Sequence, residues 1–161
     1  MELLELALSM ELDLKDFYKK QAELHNGNSL KTVFTLLAEE EDEHAAILRS
    51  YASQIVIPLT DSNILSDVRT IFKQLANFSS EIKDIPSQLD VYRMALEKEE
   101  ESKSFYQDLC DKAAEERSKR VFGYLTEQED KHCIILEELV KRVTRPEEWV
   151  ESAEFGIRED Y

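Results

Sequence analysis

The chain has 161 residues, of which 35 are Asp or Glu against 20 Lys or Arg, for a formal net charge of −15 at pH 7. That balance argues against a nucleic-acid or anionic-membrane partner, because no basic patch exists to meet phosphates and release counterions. With only three Gly and three Pro, and long stretches rich in Glu, Leu, Lys and Ala, the composition favours helices nearly throughout and predicts an all-α protein of one domain.

The opening Met1-Glu2-Leu3 has no basic segment followed by an apolar run, so no secretory signal is read and a cytoplasmic location is expected. No apolar stretch approaches a membrane span. The first helix is predicted over 2–25. Its apolar stripe runs Leu4, Ala7, Leu8, Leu14, Tyr18 and Ala22 at three-and-four spacing, with Glu11 interrupting it. Asn26-Gly27-Asn28-Ser29 then supplies a stop, a tight turn and an N-cap, so the next helix returns antiparallel. His25, beside that turn, is expected to face solvent.

The second helix, over 30–56, is predicted to bury Phe34, Leu37, Ala38, Ala45, Leu48, Ala52 and Ile55, with Glu41 and His44 on the same stripe and Pro58 ending it. The neighbouring acids Glu39, Glu40 and Glu43, like Glu100 and Glu127 later, fall off the stripes and read as solvated. Residues 58–87 keep a helical period in Ile64, Leu65, Val68, Ile71, Phe72 and Leu75, which predicts a crossover carrying a short helix. Such a connection can start the third helix parallel to the second.

That third helix, over 88–113, presents Tyr92, Ala95, Leu96, Glu99, Ser102, Tyr106 and Leu109 on one face. The fourth, over 117–143, presents Phe122, Leu125, Glu129, His132, Cys133, Leu136 and Val140. After Thr144, Pro146 at a first helical position and Gly156 past the end predict a short fifth helix docking through Trp149, Val150 and Phe155. Residues 1–145 are thus expected to form the bundle, and 146–161 a short helix and tail of the same domain.

The chain repeats itself at an offset of 88. Over 7–48, 16 of 42 positions are identical to 95–136 without a gap, pairing Glu11, Phe17, Tyr18, Phe34, Glu41 and His44 with Glu99, Phe105, Tyr106, Phe122, Glu129 and His132. Each copy offers one Glu and then, 30 residues on, a Glu-x-x-His whose two side chains share a helix face. All four Glu fall on apolar stripes, where an unpaired carboxylate costs several kcal/mol. No Lys or Arg shares those stripes, so two metal ions are the natural compensation. Four carboxylates and two imidazoles between two hairpins form the ligand set of a di-iron four-helix bundle, and iron suits that oxygen and nitrogen shell best, with manganese or zinc able to use it. Tyr18 and Tyr106 lie seven residues after Glu11 and Glu99, where their phenols can orient a carboxylate from a neighbouring helix or serve as core aromatics. Cys110 and Cys133 form no Cys-x-x-Cys pair, and their repeat counterparts are Ala22 and Ala45, so both read as small buried side chains.

On Glu11 with Phe17-Tyr18, Leu37-Ala38-Glu39-Glu40-Glu41-Asp42-Glu43-His44, Glu99 with Phe105-Tyr106, and Glu129-Asp130-Lys131-His132, the chain resembles the rubrerythrin branch of the ferritin-like superfamily over most of 1–143. The resemblance implies a ferritin-like bundle whose ligands are Glu11, Glu41, His44, Glu99, Glu129 and His132. It implies two irons reacting with hydrogen peroxide or dioxygen, in an oxidoreductase expected to be a homodimer. Where that family carries an additional carboxylate one turn after the third-helix ligand, this chain has Ser102. It also lacks the cysteines of a rubredoxin domain, so electrons are expected from an external donor such as a rubredoxin. Two other readings stand beside this one: a ferroxidase or iron-storage subunit, and a regulatory module that uses its metal only as a staple.

Overall fold

The computed structural model describes residues 2–56, 58–75, 82 and 85–155, the side chains of 85 and 145–155 excepted. The described residues form five helices and no strand: α1 Glu2–Leu24, α2 Leu30–Ala52, α3 Ile64–Gln74, α4 Ile85–Lys112 and α5 Glu116–Phe155. Pairs α1/α2 and α4/α5 form the two hairpins of the repeat, and α3 lies in the connection between them and touches both α2 and α5. This is a ferritin-like four-helix bundle. No described helix is long and apolar enough to cross a membrane.

Two apolar clusters fix the helix directions. One gathers Ala7 from the start of α1, Leu48 from the end of α2, Tyr106 from the end of α4, and Val121, Phe122 and Leu125 from the start of α5. The other gathers Tyr18 and Ala22, Leu30 to Ala38, Leu89 to Ala95 and Ile135 to Val143 from the opposite ends, together with Ile64, Val68 and Phe72 of α3. Hence α2 and α4 run parallel, as the long crossover requires, and each is antiparallel to its hairpin partner. Between the two clusters lies a layer of buried Glu and His side chains. The hairpins also carry matching ion pairs, Lys15–Asp42 at 2.8 Å and Lys103–Asp130 at 2.6 Å. Solvent screens pairs this exposed, so they contribute little to stability.

The turn after α1 uses Gly27 at φ +100°, and the Asn28 side chain, rather than Ser29, accepts the Leu30 N–H at 2.9 Å. Four expectations need correction here. His25 does not face solvent: it is buried, its Nε2 lies 2.7 Å from the Tyr92 hydroxyl and its ring stacks on Phe34. Burial holds its pKa below the usual imidazole value. Secondly, α2 stops at Ala52, well before Pro58, and Ala52 and Ile55 are exposed. The stop is a Schellman turn, in which Gln54 adopts φ 60° while its N–H meets the Tyr51 carbonyl and the Ile55 N–H reaches back to Ser50. A side chain in that left-handed region is strained. Gln54→Gly is expected to raise stability by about 0.5–1 kcal/mol, the relief exceeding the extra unfolded-state entropy, and an unchanged urea midpoint would contradict the assignment.

Thirdly, no break separates a fifth helix from the fourth: α5 is continuous through Pro146 to Phe155. Proline removes one backbone donor, and the turn before it stays helical, with the Thr144 hydroxyl bonded to the Val140 carbonyl at 3.0 Å. The expected docking of Trp149, Val150 and Phe155 lies outside the described side chains. Fourthly, the Glu40 side chain, expected in solvent, turns into the polar layer.

Candidate metal centre

The polar layer contains all six residues that the repeat singles out. Glu11, Glu41, Glu99, Glu129 and His132 have no exposed surface, and His44 is 2% exposed. Each reaches the layer because its helix stripe, burying Ala7 and Leu14 around Glu11, Leu37 and Ala45 around Glu41, Ala95 and Tyr106 around Glu99, and Leu125 and Leu136 around Glu129, turns the same face inward at that position. Ligating atoms of Glu11, Glu41, His44 and Glu129 lie within 4.8 Å of one another, and so do those of Glu41, Glu99, Glu129 and His132. Exchanging the two repeats turns the first group into the second: Glu11, Glu41 and His44 become Glu99, Glu129 and His132, and Glu129 becomes Glu41. Glu41 and Glu129 belong to both, so the two groups share a pair of carboxylates and each adds one Glu and one His.

The distances follow the same pseudo-two-fold relation. His44 Nδ1 is 2.9 Å from Glu11 Oε2 and 2.8 Å from Glu129 Oε1. His132 Nδ1 is 2.8 Å from Glu41 Oε1 and 3.2 Å from Glu99 Oε2. The two imidazoles stack with centroids 5.5 Å apart. Tyr18 donates its hydroxyl proton to Glu99 Oε1 at 2.9 Å, and Tyr106 donates to Glu11 Oε1 at 3.0 Å. Each phenol therefore crosses to the carboxylate of the other repeat. Burial, and then the carboxylate each one faces, push both phenols well above their usual pKa, so both remain donors.

The electrostatics of this layer separate its carboxylates into two kinds. Burial pushes Glu99 up, but the charge and hydrogen bond of His132 outweigh it and draw Glu99 down to about 2. Glu11 is lowered against burial by His44 in the same way. Burial and then Glu11 and Glu99 hold Glu41 well above the usual range, and burial with Glu11, Glu41 and Glu99 does the same to Glu129. Four carboxylates with two imidazoles cannot satisfy one another. Glu41 Oε2 and Glu129 Oε2 are buried with no hydrogen-bond partner, and Glu99 Oε2 has only the 3.2 Å approach of His132 Nδ1. An orphaned buried carboxylate oxygen is costly unless a cation meets it, and Glu41 and Glu129 are the two carboxylates common to both groups. The residues present thus fit cations bound by mixed oxygen and nitrogen ligands.

Sequence reasoning missed Glu40. Expected on a solvated face, its side chain is only 13% exposed, and its Oε1 lies 2.8 Å from His132 Nε2. Its other oxygen bonds the Ser62 hydroxyl in the crossover. The signal was present in part: Val33, Leu37, Glu40 and His44 are spaced by four, three and four, so Glu40 borders the buried stripe. Burial raises the Glu40 carboxyl, but the hydrogen bond and charge of His132 outweigh that and lower its pKa. Ser102 is buried on α4, and Cys133 is buried with its thiol pushed up to about 12, chiefly by burial and then by Glu99. Both cysteines are free thiols, Cys133 buried and Cys110 partly so.

A solved hypothetical protein from Pyrococcus furiosus has the same fold, with a TM-score of 0.69 and 28% sequence identity over 89% of each chain. No curated protein matches the chain. The rubrerythrin family model matches residues 2–140, nearly the whole bundle. With the fold, the repeat and the polar layer in agreement with that match, this chain belongs to the rubrerythrin family.

Proposed function

We propose that this protein is a di-iron-carboxylate oxidoreductase that reduces hydrogen peroxide or dioxygen with electrons from an external donor such as a rubredoxin. The observation that carries the reading is the pair of overlapping four-residue groups, each with three carboxylates and one imidazole, sharing Glu41 and Glu129. Glu11, Glu41, His44, Glu99, Glu129 and His132 would hold the two ions. Bound iron would supply the electrons: two Fe(II) becoming Fe(III) deliver the two that, with two protons, convert one hydrogen peroxide to two waters.

The chain's own side chains do the rest. Glu41 and Glu129, shared between the groups, set the separation of the two positions. Tyr18 and Tyr106 orient Glu99 and Glu11, and such outer partners fix ligand direction. The apolar clusters above and below the layer exclude bulk water. Burial and the neighbouring carboxylates hold Glu41 and Glu129 above the usual carboxylate range, so both would have to be ionised to hold cations. A homodimer in the cytoplasm is part of the same reading.

The test is an anaerobic Fe(II) titration of metal-free protein, followed by mixing with peroxide or with air. Two tightly bound irons per chain, oxidised much faster than free iron by one of the two oxidants, are expected. Fewer than two, or oxidation at the solution rate, refutes the proposal.

Ser102 favours a second reading. With a buried serine in place of a further carboxylate, the ligand set of four Glu and two His suits a ferroxidase whose product is sequestered iron. A large hollow assembly retaining many irons per chain supports that reading, whereas a small oligomer with about two irons per chain supports the oxidoreductase.

A further inference from the structure

We propose that Glu40 is a positioning residue that makes the two metal positions unequal, by holding His132, but not His44, through its outer ring nitrogen. This rests on the metal centre proposed above. The 88-residue repeat imposes near-equivalence on three features of the layer and its rim: the two groups of four, the crossed tyrosine bonds at 2.9 and 3.0 Å, and the paired lysine–aspartate bridges. Among the described residues the Glu40 Oε1 to His132 Nε2 contact at 2.8 Å has no such counterpart; a Glu40 oxygen lies within 4.8 Å of a His44 nitrogen, but no hydrogen bond joins them.

Eighty-eight residues on from Glu40 stands Gln128, a neutral amide of nearly the same shape. Gln128 is 1% exposed; its Nε2 donates to Asp61 Oδ1 at 3.2 Å, and its Oε1 has no hydrogen-bond partner. The cause of the difference is topological. A crossover joins α2 to α4 once, so only one side of the pseudo-two-fold is covered by it. Its residues 60–62 reach α2 and α5: the Ser62 hydroxyl bonds Glu40, Lys131 meets Asp61 at 2.5 Å and the Ser62 carbonyl at 2.8 Å, and the Tyr124 hydroxyl donates to the Thr60 carbonyl at 2.7 Å. The Glu40 carboxylate is thereby anchored at both oxygens, one by the crossover and one by His132.

A histidine that binds a cation through one nitrogen donates the proton on the other, and a carboxylate acceptor there fixes the tautomer and ring orientation and makes the ligating nitrogen more basic. His132 Nδ1 faces Glu41 and Glu99, so Nε2–H is the donor to Glu40. The position built from Glu41, Glu99, Glu129 and His132 is then the tighter one. The position built from Glu11, Glu41, His44 and Glu129 is the weaker. Loss of such an outer carboxylate costs about 10–100-fold in metal affinity.

The probe is Co(II) alone, titrated anaerobically into metal-free protein and followed by calorimetry and by its visible absorption. Wild type is expected to bind two ions in two resolved steps. Glu40→Gln is expected to weaken the tighter step by about 10–100-fold and bring the two together, changing the absorption of the first ion bound. Ser62→Ala, which frees Glu40 from the crossover, is expected to act in the same direction with a smaller effect. Glu39→Gln, an exposed neighbour carrying the same charge, is expected to leave the spacing of the steps alone. Two ions bound with the Glu40→Gln steps unchanged, or with both steps weakened by the same factor, overturns the proposal while leaving the metal centre intact. Fewer than two Co(II) bound by wild type overturns the metal centre itself, and this proposal with it.

Discussion

Glu41→Ala is expected to abolish tight binding of the second iron and to slow oxidant-driven iron oxidation by about 100-fold or more, and Glu129→Ala is expected to do the same. The grading follows from which groups each residue joins. Glu41 and Glu129 are each in both groups, whereas Glu11 and Glu99 are each in one. Removing a shared carboxylate takes a ligand from both positions at once, and even outer partners of a ligand are worth about 10–100-fold. Glu11→Ala should therefore weaken one binding step and spare the other. The measurement is iron stoichiometry by anaerobic titration, with a single-turnover oxidation trace for each variant. Two irons still held tightly by Glu41→Ala would refute the sharing. Loss of binding through misfolding is distinguished by Glu41→Gln, which keeps the volume and hydrogen-bonding capacity of a fully buried side chain. That variant should melt cooperatively and still fail to bind the second ion.

Much of this arrangement was legible in the sequence because the repeat converts a weak local signal into a strong one. A single Glu-x-x-His in so acidic a chain says little, but Glu41/His44 and Glu129/His132, each on an apolar stripe and each 30 residues after a buried Glu, constrain one another. The helix directions were legible for the same reason, since two hairpins joined by a long connection leave α2 and α4 parallel. What was not legible lies where the repeat fails. Glu40 became a partner of His132 only because the crossover folds back over α2 and α5, a contact that no local period encodes. His25 has no matching residue in the other copy, where Ala113 stands, and its burial depends on Tyr92 from a distant helix. The end of α2 was misplaced because Pro58 is a conspicuous stop signal, while Gln54 in a left-handed turn is a silent one. The helix through Pro146 shows the converse, a proline whose lost donor did not outweigh the helix around it.

Metal removal is expected to cost progressively more stability as pH rises from about 5.5 to 8.5. In the metal-free protein, Glu41 and Glu129 are held above the usual carboxylate value of 4.5, by burial and then by the other carboxylates. Burial opposes the charge on His132, but Glu99 and the hydrogen bond to Glu40 outweigh it and raise that imidazole well above 6.5. A group whose folded pKa is raised binds more protons folded than unfolded, so its contribution is complete below the unfolded value and is lost as pH climbs through the folded one. Glu11 and Glu99 run the other way, Glu99 reaching about 2, and their contribution is lost only as pH falls below about 4.5. The metal-free fold should thus gain stability on leaving the acid range and lose it again through neutrality. Cations reverse the upper limb, because binding needs the carboxylates ionised and His132 neutral at its ligating nitrogen, so affinity rises with pH. With free metal at 100 times Kd, each site adds about 2.7 kcal/mol, and two sites together raise Tm by about 10–20 °C in a domain of this size. Calorimetry at pH 5.5, 7 and 8.5, with a chelator or with two equivalents of Zn(II) as a redox-inert ion, measures the gap directly. A gap that stays constant or narrows with rising pH would mean that these carboxylates and His132 are not the groups that exchange protons for metal.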